Sequence, residues 1–178
     1  VDTSEDNWVY GSMHQWNIHS AFAAIDAIAV TRDKVFALSS HSLFAVDRQS
    51  EEIDYYNRLT GLNGAIISTM AYNPTLNRLL LCYENGQLDM ITAQDEVKNI
   101  PDLYLKQATF SKIVNSVYMH GHIAYLAMDF GIIVLDMKKR EVKDTYIIGI
   151  NASEVSVKHI AIMGDSIYAV SPYQLFAA

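Results

Sequence analysis

The sequence predicts an all-β fold built from repeated small sheets, and three observations carry that prediction. Four segments share one order of short apolar strands and tight polar turns. Within them Phe36, Leu80, Tyr125 and Tyr168 occupy equivalent places, 44, 45 and 43 residues apart. Helical periodicity is nearly absent, since only the Ala-rich stretch Ala21–Val30 would pass for a helix, and its second half aligns with strands. A period of about 40–50 residues with several strands per unit marks the blades of a β-propeller.

The units read off in order. The first has Ile28-Ala29-Val30, a turn at Thr31-Arg32-Asp33, then Val35-Phe36-Ala37-Leu38 and Leu43-Phe44-Ala45-Val46-Asp47. The second has Met70-Ala71-Tyr72, the turn Asn73-Pro74-Thr75, Leu79-Leu80-Leu81-Cys82 and Leu88-Asp89-Met90-Ile91. The third has Val117-Tyr118-Met119, His120-Gly121-His122, Ala124-Tyr125-Leu126-Ala127 and Ile132-Ile133-Val134-Leu135-Asp136. The fourth has Ile160-Ala161-Ile162, Met163-Gly164-Asp165, Ile167-Tyr168-Ala169-Val170 and Leu175-Phe176-Ala177. More polar segments follow the first three units, at Ile53–Tyr56, Glu96–Ile100 and Val142–Tyr146. They suit a fourth strand at the solvent edge of each blade. The nearly continuous apolar character of the inner strands fits sheets packed on both faces.

The blades are therefore expected at about 20–60, 61–105, 106–150 and 151–178, the last incomplete. Residues 1–19 form an N-terminal strand segment containing Trp8-Val9-Tyr10, which resembles the outer strand that completes the last blade of a ring. Closure into a four-bladed ring is one outcome. The expected one is a partial ring of a larger propeller, whose apolar end faces favour self-association.

Composition narrows the function. The 178 residues are 51% hydrophobic and 19% charged, as in a folded domain, with a net charge of −7 that disfavours nucleic acid. The one basic run, Lys138-Lys139-Arg140, is flanked by Asp136 and Glu141 and reads as a solvated turn. Cys82 is the single cysteine and lies in an apolar run, so it reads as a buried, inert thiol. No apolar stretch is long enough for a membrane helix, and no basic region leads into an apolar run at the start.

Candidate sites are sparse. His120 and His122 flank a hairpin glycine without an acidic or thiol ligand at a supporting spacing, and His14 and His19 carry no signature. Strained nucleophile elbows and glycine-rich phosphate loops are missing from the sequence. Asp47 and Asp136 recur at strand ends, where turn chemistry explains them, and Asp129 is read as accepting backbone donors in its turn. Tyr72, Tyr125 and Tyr168 are able to stack on sugars but fall at repeat positions that favour packing. The chain is thus expected to be no enzyme and to need no cofactor. Its catalytic, metal and cofactor-binding residues are none, and its ligand-binding residues are unassigned. A metal-dependent turnover abolished by changing His120 and His122 would overturn this.

The link Tyr56-Asn57-Arg58-Leu59-Thr60-Gly61-Leu62-Asn63-Gly64-Ala65-Ile66-Ile67 resembles the N-x-x-x-G-L-x-x-x-x-I joint of two-component-regulator propellers. Gly61 and Gly64 suit a tight reversal between blades, and Leu62 suits a plug between them. Asn99–Tyr104, Asp129–Asp136 and Glu141–Gly149 resemble the N-terminal propeller of PorZ-type proteins of the type IX secretion system. The likeness runs from about Trp8 to the end. It departs at Ser39-Ser40-His41-Ser42-Leu43, where a glycine pair is usual before the leucine.

The resemblance implies a periplasmic or surface accessory protein, with more blades and a C-terminal domain beyond this length. Its implied partners are a sortase-type attachment complex and the anionic lipopolysaccharide to which cargo is linked. The alternative is a carbohydrate-sensing periplasmic ectodomain of a hybrid two-component regulator. A propeller enzyme ranks third, because the inner strands carry mainly apolar and small residues.

Overall fold

The computed structural model of the chain describes residues 24–107 and 109–178. The N-terminal strand segment 1–19, with Trp8-Val9-Tyr10, His14 and His19, lies outside the described residues. Fifteen strands of the described residues follow one another as four antiparallel meanders. Blade 1 holds β1 (Ala27–Val30), β2 (Lys34–Ser39), β3 (Ser42–Asp47) and β4 (Ile53–Tyr56). Blade 2 holds β5 (Ile67–Asn73), β6 (Arg78–Tyr83), β7 (Leu88–Ile91) and β8 (Val97–Ile100). Blade 3 holds β9 (Val114–His120), β10 (Ile123–Met128), β11 (Gly131–Asp136) and β12 (Glu141–Tyr146). Blade 4 has three described strands, β13 (His159–Met163), β14 (Ser166–Val170) and β15 (Leu175–Ala177). The inner strands β1, β5, β9 and β13 neighbour one another in that order, as in an arc of propeller blades.

Strand alternation sorts side chains into the seams between blades, because successive residues point to opposite faces. Along β6, Leu79, Leu81 and Tyr83 enter the seam with blade 1, while Leu80 and Cys82 enter the seam with blade 3. From blade 3, Ala124, Leu126 and Met128 meet them, and Ala127 turns the other way towards Ile160 and Ala169 of blade 4. Each seam thus has its own apolar core, and a fully buried Leu or Met contributes roughly 2 kcal/mol to it. The joint residue Leu62 is buried among these side chains between blades 1 and 2. Among the described residues, only blades 2 and 3 have a neighbouring blade on both faces. At the ends of the arc the apolar inner strands are half bare, with Ile28 65% and Met163 70% exposed.

Turn geometry explains several residues that propensity leaves open. Ser40 and His41 connect β2 to β3 with φ of 47° and 68°, so the hairpin keeps its tight form on two left-handed non-glycine residues. Side chains there cost about 1–2 kcal/mol per residue. At the first joint Asn57 caps the 3-10 turn Arg58–Thr60, accepting from the Leu59 and Thr60 amides, and Gly61 ends it at φ 108°. Gly64 keeps no positive φ; a Cβ there would fall inside the Tyr83 ring, so close approach is what it supplies. The second joint is the single α-helical turn α1 (Asp102–Leu105), whose Asp102 carboxylate accepts from the Val142 amide of β12 at 2.8 Å.

Candidate functional site

The polar chemistry of the described residues gathers at the seams. At the first seam Lys34 opens β2 and sends its ammonium to Asp54 of β4 and to Asp95 in the β7–β8 turn, both at 2.7 Å. The Tyr56 hydroxyl completes the cluster, accepting from Lys34 at 3.1 Å and donating to Asp95 at 2.8 Å. Burial opposes the Lys34 charge, but the bonds to Asp54, Asp95 and Tyr56 outweigh it and hold the ammonium above its usual range. Burial, with the Asp95 carboxylate, pushes the Tyr56 phenol up to about 12.

Inside blade 2, Asp89 is fully buried, and no cation among the described residues pairs with it. Four donors replace one: the Asn63 amide and the Tyr83 hydroxyl on one oxygen, the Asn63 and Asn99 side chains on the other, all at 2.8–2.9 Å. This set ties the first joint to the blade that follows it, and burial followed by the Asp89 charge pushes the Tyr83 phenol up. Removing one donor would strand part of a desolvated carboxylate, which is costly. At the third seam Asp129 accepts from Asn115 at 2.9 Å, Ser156 at 2.7 Å and Lys158 at 3.0 Å. Those donors lower its carboxyl to about 2. The expected backbone donors are replaced by side chains from blade 3 and the following joint, because the turn points its carboxylate across the seam.

Among the clefts of the described residues, two lie at opposite strand ends. The β2–β3 turn and the first joint enclose one of about 320 Å³, lined by His41, Tyr55, Tyr56, Arg58, Leu62 and Tyr83 among others. At the other end a cleft of about 650 Å³ runs between blades 2 and 3, lined by Arg78, Glu96, Lys98, Lys138 and Arg140 among others.

The residues weighed from sequence fall apart rather than together. His120 and His122 are exposed on their hairpin; His122 lies 3.7 Å from Asp136, and no group of three His, Cys, Asp or Glu among the described residues suits a metal. Asp47 and Asp136 each accept two backbone amides of their own turns. Cys82 is buried in an apolar seam, which pushes its thiol up and keeps it protonated. Tyr72, Tyr125 and Tyr168 are half-buried rather than core: Tyr72 packs beside the first seam and Tyr125 beside the third. Sequence reasoning missed Asp89 and the Lys34 cluster. The signal for Asp89 was a carboxylate in the middle of an apolar strand, where a buried acid requires donors.

Comparison with known proteins follows the same geometry. A family model described as the type IX secretion PorZ N-terminal β-propeller domain matches residues 35–178. Among curated protein sequences nothing matches the chain. PorZ of Porphyromonas gingivalis, an essential bacterial surface component of the type IX secretion system, superposes with a TM-score of 0.76 at 29% identity. That match covers 84% of this chain and 20% of PorZ, so the chain spans one fifth of its relative's length. The extracellular domain of the putative one-component system BT4673 from Bacteroides thetaiotaomicron gives 0.65 at 16% identity, covering 86% of this chain and 20% of that one. AztD of Citrobacter koseri gives 0.63 at 13%, covering 86% and 43%. The last two likenesses, at such low identity, concern the fold alone. With four blade meanders among its described residues and the family model matching residues 35–178, the chain belongs to the PorZ N-terminal β-propeller family.

Proposed function

We propose that the chain is a non-catalytic propeller scaffold of a cell-envelope protein, serving type IX secretion and the attachment of cargo to anionic lipopolysaccharide. The observation that carries this reading is the family match over residues 35–178, supported by the 29% identity to a surface component of that system. The chemistry of the blades agrees with a scaffold role. Lys34, Asp89 and Asp129 each spend their charge on bonds that lock joints and seams, and Cys82 sits in an apolar core. A sortase-type attachment complex is the partner this reading names. The discriminating experiment is in-frame removal of the segment encoding residues 27–177 in the source bacterium, followed by fractionation of secreted cargo. Cargo is expected to lose its surface attachment. Normal attachment, with a loss of transcriptional response to a glycan instead, would favour the sensor ectodomain and refute the secretion role.

A further inference from the structure

Adjacent seams allow one blade to be compared with the next at equivalent positions. Lys34 and Arg78 open the second strands of blades 1 and 2, two residues before Phe36 and Leu80. Phe36 pairs with Ala45, which pairs with Asp54; Leu80 pairs with Met90, which pairs with Lys98. Asp54 and Lys98 therefore hold the same place on their outer strands. Asp95 and Arg140 hold the same place in the third-to-fourth-strand turns of blades 2 and 3, with φ of 60° and 63°. The first seam joins Lys34, Asp54 and Asp95. The second seam presents Arg78, Lys98 and Arg140. One cation closed by two carboxylates has become three cations.

The consequence is visible in how each seam is filled. Lys34 is only 13% exposed, clamped between its acids. The equivalent region of the second seam stays open as the cleft of about 650 Å³, to which Lys138 adds a fourth cation. Glu96 offsets Lys98 at 2.9 Å, and Arg78 gives one nitrogen to the Met137 carbonyl at 3.2 Å. The side chains of Lys138 and Arg140 meet no anion among the described residues. Like charges lining one cleft repel, and Arg140 adds the strain of a left-handed non-glycine residue. A chain of net charge −7 does not gather them for solubility.

We propose that the seam between blades 2 and 3 binds a phosphate monoester or free phosphate, which supplies the negative charge that Asp54 and Asp95 supply in the seam before it. Two carboxylates carry two negative charges, and a phosphate monoester carries about −1.5 to −2 at pH 7. The guanidinium forks of Arg78 and Arg140 match its oxygens bidentately. This inference does not depend on the secretion reading.

The test is titration calorimetry of the 178-residue chain with inorganic phosphate and with glucose 1-phosphate, at ionic strength held constant with chloride. Arg140→Gly removes one cation and relieves its turn, so it folds and is expected to weaken binding at least tenfold. The pair Lys98→Asp with Arg140→Asp rebuilds the charge pattern of the first seam; it is expected to abolish binding and raise the melting temperature. Arg140→Gly alone decides the matter if the pair does not fold by circular dichroism. Tighter binding of glucose 1-phosphate marks an esterified ligand, and binding of inorganic phosphate alone marks the free ion; either supports the site when Arg140→Gly removes it. Wild-type heats equal to the chloride control, or an Arg140→Gly affinity within twofold of wild type, would overturn it.

Discussion

Replacing Gly131 by alanine probes the backbone on which blade 3 closes. Gly131 begins β11 at φ 150°, and a Cβ there would overlap the Tyr146 carbonyl oxygen of the paired strand β12. Two penalties combine. Holding an alanine at such a φ costs about 1–3 kcal/mol. Displacing the Tyr146 carbonyl from its ladder adds about 1 kcal/mol. Gly164 provides the internal standard, because its φ of 60° is also positive but nothing lies within 4 Å of a Cβ there. Gly164→Ala should cost about 1 kcal/mol, the backbone share alone. Gly131→Ala should cost about 3 kcal/mol, which for a domain of this size lowers the melting temperature by roughly 6–12 °C. Urea unfolding followed by circular dichroism measures both, the midpoint shifting while the slope stays constant. If Gly131→Ala lost no more stability than Gly164→Ala, the close approach to Tyr146 would not hold β11 and β12 together, and the reasoning would fail.

Three further outcomes are expected. Changing Ser40-His41 to Asn-Gly, the preferred pair for a hairpin with two left-handed residues, should stabilise the chain by about 1 kcal/mol, or roughly 2–4 °C; an unchanged melting curve would show that the turn is unstrained. Asp129 has a carboxyl lowered to about 2, so its contribution is present above the ordinary carboxylate value near 4 and fades as pH falls towards 2. The stability gap between wild type and Asp129→Asn should therefore shrink between pH 5 and pH 2 in denaturant titrations, and a constant gap would contradict the latch at the third seam. Finally, the bare apolar end faces that carry Ile28 and Met163 predict self-association of the chain, so light scattering should exceed the 20.0 kDa of a monomer. A compact monomer would mean that those faces are covered.

Much of the architecture was legible in the chain itself. The spacing of Phe36, Leu80, Tyr125 and Tyr168 set the blade period, and local turn chemistry placed Asp47 and Asp136, whose carboxylates bind amides two and three residues away. Such features follow from neighbours in sequence, since a hairpin or an Asx turn closes over a few residues. The joint motif likewise identified Gly61 and Leu62, one by its left-handed φ and the other by its place as a plug. What the sequence left undecided lies wherever two blades touch. Lys34 reaches Asp95 across 61 residues, and Asp129 is satisfied by Lys158 across 29. Lys138-Lys139-Arg140 read as a solvated turn because its local neighbours are acidic; its place beside Arg78 and Lys98 appears only when blade 3 docks on blade 2. Local pattern determines how each meander folds. The docking of one meander on the next decides which charges are closed by a partner and which are left facing an open cleft, because those partners are brought together only by the burial of the apolar seams.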